Sequence, residues 1–253
     1  MRYVDCLQKI LFPRRERERR LTSLSALDGF VQNICWGEDV SVAVAHRRAE
    51  EGVVTLRTWH SRANAVLITS DGYFLTADHC VKRYVPPRKH GMRIITHNGE
   101  EFPVTNVCAC NRRKDLALCK ADLPAAPAPL RYRFFDWGRY ERRLAVRVVT
   151  RNDGLHSVYG FLEGITPAVF GLGHTYEETS FLHDQWTVSV NLRPGDSGGL
   201  LLDAEARVLG FVTTGPADEN HDYRGTCARL PDALALIATY VTRRRTLYGP
   251  RHT

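Results

Sequence analysis

Nowhere in the chain do the roughly 18 consecutive apolar residues of a membrane-spanning helix occur, although 43% of the 253 residues are hydrophobic. The start does not match a secretory signal either. Its apolar stretch from Cys6 to Phe12 is short, is interrupted by Gln8 and Lys9, and runs straight into Arg14 and Arg15. A framework of paired cysteines is also missing. The seven cysteines, Cys6, Cys35, Cys80, Cys108, Cys110, Cys119 and Cys227, are odd in number and irregularly spaced, so at least one has no intrachain partner. These absences make the cytoplasm the expected compartment. Cys108, Cys110 and Cys119 could be imagined as metal ligands, but C-x-C is not the C-x-x-C knuckle of zinc sites and no matching His spacing follows. Strand thiols are the expectation, with no metal and no cofactor. The formal charge of +7 comes mainly from arginine and could attract nucleic acid. The arginines are scattered, however, and no nucleic-acid-binding motif accompanies them, so a solvated basic surface is expected.

What is present falls into four stretches. Residues 1–40 hold the dense mixed-charge run Pro13 to Arg20, which reads as a solvated helix or arm. Leu21, Leu24, Leu27, Val31 and Ile34 then recur at helical spacing, the pattern of a short amphipathic helix that packs on the body or docks a regulatory partner. From about Ser41 the pattern is one of short strands: Val40 to Ala45, Val53 to Thr58, Ala65 to Thr69, Tyr73 to Thr76, Arg93 to Thr96, Leu116 to Cys119, Ala145 to Thr150, Trp186 to Val190, Gly199 to Leu202 and Val208 to Thr213. Turn signals such as Ser70-Asp71-Gly72 and Asn98-Gly99 separate them. Many short strands at this spacing predict a sandwich or barrels. The proline-rich stretch from Ala121 to Pro129 cannot supply central ladder donors, and reads as a linker between two β halves, 41–130 and 131–230. Beyond Pro231 the period becomes helical, with Leu234, Ile237 and Val241 on one face and Arg243, Arg244 and Arg245 in the last turn, so 231–253 is a terminal helix and tail.

Three segments carry chemistry. Leu75-Thr76-Ala77-Asp78-His79-Cys80 puts an imidazole at the end of an apolar strand, Lys114-Asp115-Leu116 opens a strand with a carboxylate, and Pro194-Gly195-Asp196-Ser197-Gly198-Gly199 is a glycine-rich turn that exposes a hydroxyl. Peptide hydrolysis by serine needs those parts: a hydroxyl, a neutral imidazole to activate it, a carboxylate to orient the imidazole, and donors for the oxyanion. In this order the segments resemble the signatures around the triad of trypsin-like and chymotrypsin-like serine proteases. The resemblance spans roughly residues 41 to 246. It implies an all-β fold of two six-stranded antiparallel barrels with a C-terminal helix and the charged N-terminal extension. It also implies a serine endopeptidase in which His79, Asp115 and Ser197 are catalytic, Gly195 and Ser197 supply the oxyanion-hole amides, and a protein or peptide is the substrate. The rival reading is a silent fold of this kind used as a binding scaffold.

Further positions are implied by the same resemblance. Gly210 to Gly215 is similar to the strand beside the substrate backbone, with Thr213 in the place of the serine that supports the buried aspartate, Thr214 next to it, and Gly215 pairing with the peptide. Gly225 to Leu230 is similar to the strand that closes the specificity pocket. Asn191, six residues before Ser197, falls at the base of that pocket, where tryptic specificity needs a carboxylate. With Gly215 and Gly225 on its walls, an open, neutral pocket for a large uncharged residue is expected, unless Asp218, Glu219 or Asp222 swings in and restores a basic preference. Ile68 to Thr76 and Asp115 to Leu118 resemble the HtrA-type branch. That branch carries a PDZ domain, for which this chain has no room, so a bare peptidase domain is expected. Three departures stand out. The place matching a disulfide partner of Cys80 is Ala63, so Cys80 is expected to be a free thiol. Asp78 precedes His79 directly; on an extended segment the two would face opposite ways, which leaves Asp78 a local hydrogen-bonding residue. Asp196 is present, but no Ile-Val-Gly-Gly-like terminus is there to pair with it, so the enzyme either folds active or is controlled by its first 40 residues or by a partner.

Overall fold

The structure, a computed structural model, describes residues 41–58, 61–69, 71–82, 91–124, 133–134, 143–152, 154–171, 179–214 and 225–248. Among them lie thirteen strands and three helices. Helix α1 (Val42–Gly52) leads into β1 (Val53–Arg57), β2 (Arg62–Leu67) and β3 (Tyr73–Thr76); then come the single turn α2 (Asp78–Val81), β4 (Arg93–Ile95), β5 (Glu101–Asn111) and β6 (Leu116–Ala121). These six strands close an antiparallel barrel in the order β1-β2-β3-β6-β5-β4. The second set is β7 (Arg133–Phe134), β8 (Leu144–Arg151), β9 (Leu155–Gly171), β10 (Thr179–Val188), β11 (Leu200–Asp203), β12 (Arg207–Thr214) and β13 (Gly225–Arg229). Here β8-β9-β10-β13-β12-β11 form a second six-stranded antiparallel ring, closed by β11 pairing with both β8 and β12; short β7 lies parallel to β12 outside it.

Strand periodicity explains how two barrels and their junction are all filled by so few residues. Along β6, Leu116 and Leu118 pack into the core shared by both barrels, while Ala117 and Cys119 fill the interior of the first barrel. Along β11, Leu200 and Leu202 again join the shared core, and Leu201 faces the interior of the second barrel with Val148, Trp186 and Val212. Successive side chains of a strand point to opposite faces, so strands buried on both sides read as unbroken apolar runs. Helix α3 (Leu230–Tyr248) lays Leu230, Ala233, Leu234, Ile237 and Val241 on the shared core, the face that the spacing of Leu234, Ile237 and Val241 predicts. It contacts β5 and β6 of one barrel and β12 and β13 of the other. The helix extends to Tyr248, so the arginine cluster at 243–245 falls short of its end.

The segment expected as a strand from Val40 to Ala45 is helical from Val42 onward. Ser41 caps that helix by accepting the Val44 N–H, and Ala45, Ala49 and Gly52 form a narrow buried stripe. The β-branched valines suggested a strand, but the cap and the small stripe at helical spacing prevail. Arg151 on β8 holds the far end of α1, its guanidinium donating to the carbonyls of Glu50 and Val53 at 2.8 Å each. The remaining expected strands lie inside or largely overlap observed ones, whereas β5, β7 and β9 coincide with no expected strand. Of the stretch from Ala121 to Pro129, β6 takes Ala121, and residues 125–129 lie outside the described residues, as do residues 1–40.

Candidate active site

Both barrels contribute to one cleft. His79 is the second residue of α2, directly after β3; Asp115 immediately precedes β6; Ser197 sits in the turn between β10 and β11. His79 Nδ1 lies 2.7 Å from Asp115 Oδ2, and the His79 backbone N–H donates to Asp115 Oδ1 at 2.9 Å. His79 Nε2 is 3.1 Å from Ser197 Oγ. An ionised carboxylate can only accept. Nδ1 therefore carries the proton, and Nε2 is left as the acceptor for the serine hydroxyl. Asp115 is only 3% exposed and its backbone sits at φ 50°, a left-handed conformation that Asp tolerates better than most residues. That conformation closes the turn begun at Asn111, where the Lys114 and Asp115 amides donate to the carbonyls of Asn111 and Arg112.

Burial, the largest single influence, works against a charged His79, but Asp115 and Cys80, each through a hydrogen bond and its charge, together outweigh it and raise the imidazole above its ordinary value of 6.5. Burial also pushes Asp115 up, opposed by the same bond to His79. Cys80 places its sulfur 3.5 Å from His79 Nε2. It is a free thiol, as expected from Ala63, and so are Cys110, Cys119 and Cys227. Cys119 and Cys227 are buried strand thiols, while Cys110 is exposed on β5. Among the described residues no cluster of three or more His, Cys, Asp or Glu side chains could hold a metal ion.

The turn around Ser197 is built on glycines at positive φ, Gly195 at 99° and Gly198 at 82°. Gly198 leaves no room for a side chain, since a Cβ there would lie 1.8 Å from the Asn64 carbonyl oxygen. Among the described residues neither the Gly195 nor the Ser197 amide is taken by an intramolecular acceptor, so both remain available. Asp196 is 7% exposed; it accepts the Arg193 N–H at 2.7 Å and the Asn152 side-chain amide at 3.4 Å.

Other expected positions come out differently. The Thr213 hydroxyl donates to the Thr226 carbonyl at 2.9 Å and lies 3.3 Å from Gln185 Oε1. Among the described residues no bond joins it to Asp115, whose carboxylate accepts from His79. A bulge between Val212 and Thr214 is the reason: it re-aims the intervening side chain into the second barrel. Thr214 pairs with Thr226 at that bulge, and Gly215 lies outside the described residues, as do Asp218, Glu219 and Asp222. Asn191 is exposed. The expected open wall at Gly225 is filled, because the Leu192 side chain reaches within 2.1 Å of where a Cβ on Gly225 would stand. Asp78 and His79 share a helical turn rather than an extended segment, yet of the two carboxylates, Asp78 and Asp115, it is Asp115 that bonds the imidazole, while buried Asp78 interacts with Cys110. Asn64 and Leu192, which no motif marked, and Asn152, which the sequence offers only as part of the turn signal Asn152-Asp153-Gly154, complete the surroundings of the turn.

Comparison with known proteins agrees with this architecture. The solved structure of the HtrA-type protease AlgW with a tripeptide superimposes with a TM-score of 0.63 at 20% identity, covering 81% of this chain and 65% of that one. AlgW with a decapeptide gives 0.63 at 18%, covering 80% and 68%, and the serine endoprotease from Yersinia pestis 0.60 at 17%, covering 81% and 68%. The chain thus spans about two thirds of the length of these proteins. At such identities the likeness concerns the fold. No curated protein matches by sequence. The model of the trypsin-like peptidase domain matches residues 63–211, well over half of the chain, and the chain belongs to that family.

Proposed function

We propose that this chain is a serine endopeptidase that cleaves protein substrates through an acyl-enzyme. The observation that carries the reading is the continuous line from Asp115 Oδ2 through His79 to Ser197 Oγ, with contacts of 2.7 and 3.1 Å across two barrels. In the first step Ser197 Oγ attacks the scissile carbonyl while His79 Nε2 takes the hydroxyl proton. The Gly195 and Ser197 amides stabilise the oxyanion. Collapse breaks the C–N bond as His79 returns the proton to the leaving amine, and water then repeats the sequence to release the acid. Asp115 orients His79 and stabilises the imidazolium.

Leu192 against Gly225 supports a preference for a small uncharged residue before the scissile bond in place of a large one. Residues 1–40 are the segment through which a partner would regulate the enzyme. The free thiols among the described residues fit a reducing cytoplasm. The test is mass-spectrometric mapping of new protein termini in lysates treated with the wild-type chain or with Ser197→Ala. New termini made only by the wild type are expected; identical sets with both would refute the reading.

A further inference from the structure

Gly195 has no side chain to restrain it, and a glycine at φ 99° can rotate its peptide planes at little cost. Something must therefore hold the turn that presents the amides. Asn64, on β2 and fully buried, grips it on both sides of Asp196. Its backbone N–H donates to the Ser197 carbonyl at 2.7 Å, and its side-chain Nδ2 donates to the Gly195 carbonyl at 2.7 Å. The orientation of this carboxamide is dictated by its neighbours. The Arg151 N–H can only donate, to Asn64 Oδ1, and the Gly195 carbonyl can only accept. Nδ2 also donates to Asn152 Oδ1 at 3.2 Å, and Asn152 in turn donates to Asp196. The Thr76 hydroxyl fixes the Asn64 carbonyl at 2.7 Å, tying the brace to the strand that precedes His79.

We propose that Asn64 is a positioning residue that locks the Gly195–Ser197 turn in its oxyanion-binding form, so that the chain is competent without a freed amino terminus. This rests on the reading of Ser197 as the nucleophile. Asp196 finds the Arg193 amide and Asn152, both neutral donors, within the fold. No charged terminus is required to order the turn.

The decisive variant is Asn64→Asp in the full-length chain, which keeps the shape but sets an acceptor against the Gly195 carbonyl. With p-nitrophenyl acetate as probe, kcat falls about 10²–10³-fold, the effect of losing one oxyanion donor, while KM and the midpoint of the acid limb stay as in the wild type. A folded Asn64→Asp protein with wild-type kcat, or one altered only in KM, overturns the proposal. Should Asn64→Asp not fold, Asn152→Ala decides: a lower kcat at constant KM supports the brace, and an unchanged kcat overturns it. A wild-type chain bearing an uncleaved amino-terminal tag turns over as fast as the untagged one; inactivity that only cleavage of the tag relieves also overturns the proposal. Labelling by a fluorophosphonate separates the two readings. A wild type that neither hydrolyses the ester nor takes label at Ser197 refutes the nucleophile itself, whereas an active, labelled wild type matched by Asn64→Asp refutes the brace alone.

Discussion

His79 is held by one side chain at two points, because Asp115 accepts both its ring and its backbone N–H. Only neutral imidazole can accept the serine proton, and Asp115 favours the charged form. Activity therefore rises with pH through a midpoint above 6.5, the ordinary imidazole value. Replacing Asp115 by Asn removes one of the two raising partners, Cys80 being the other, and leaves the burial that lowers the value. The midpoint of kcat/KM against pH should move down in Asp115→Asn, and kcat should drop roughly 10⁴-fold as in other triads that lose this carboxylate. An unshifted midpoint would assign the raising effect elsewhere. The triad residues were legible because each lies in a local signature. Asn64 was not: its contacts with Asn152 and Gly195 span 88 and 131 residues, and no local pattern encodes a meeting of that range. Thr213 was placed by analogy with a serine, and a single bulge sends its hydroxyl elsewhere.

At the scale of elements, legibility followed burial. Strands buried on both faces, such as β3, β6 and β11, announce themselves as apolar runs. Strand β5 mixes exposed and half-buried residues irregularly around buried Val104, contains Pro103 and carries two register shifts, so its sequence lacks a clean period. Strand β9 carries Leu155, Tyr159, Phe161 and Ile165 exposed, and apolar residues on the solvent face erase the alternation that marks a half-buried strand. Stability should follow the same division. Leu118 is fully buried where β6 meets the shared core, and Leu118→Ala should cost about 2–5 kcal/mol. Phe161→Ser, at a 49% exposed position, should stay within about 0.5 kcal/mol. Urea unfolding of the two variants checks this, and equal losses would contradict the assignment of the shared core.

For the whole molecule, the site exists only where the barrels meet: the first supplies His79 and Asp115, the second Ser197, and α3 spans both. Two β halves were legible from strand spacing and the proline-rich stretch, and their form as barrels from the resemblance of the motifs, but the packing of Leu192 on Gly225 was not, because the two meet only after β10 and β13 pair. Cleavage after small uncharged residues such as Ala or Val is expected. Leu192→Ala should raise kcat/KM for Phe relative to Ala at that position by about 10-fold or more, the scale on which pocket volume discriminates. Peptide-library profiling reads the change, and an unaltered profile would place the pocket elsewhere. The central claim is that Ser197, activated by His79, is the nucleophile. Its most direct measurement is stoichiometric reaction with a fluorophosphonate followed by mass-spectrometric mapping of the adduct. One adduct per chain, on Ser197, lost in His79→Ala and accompanied by complete loss of peptide cleavage, is the predicted result. Peptide cleavage that persists after Ser197 is fully labelled would contradict it.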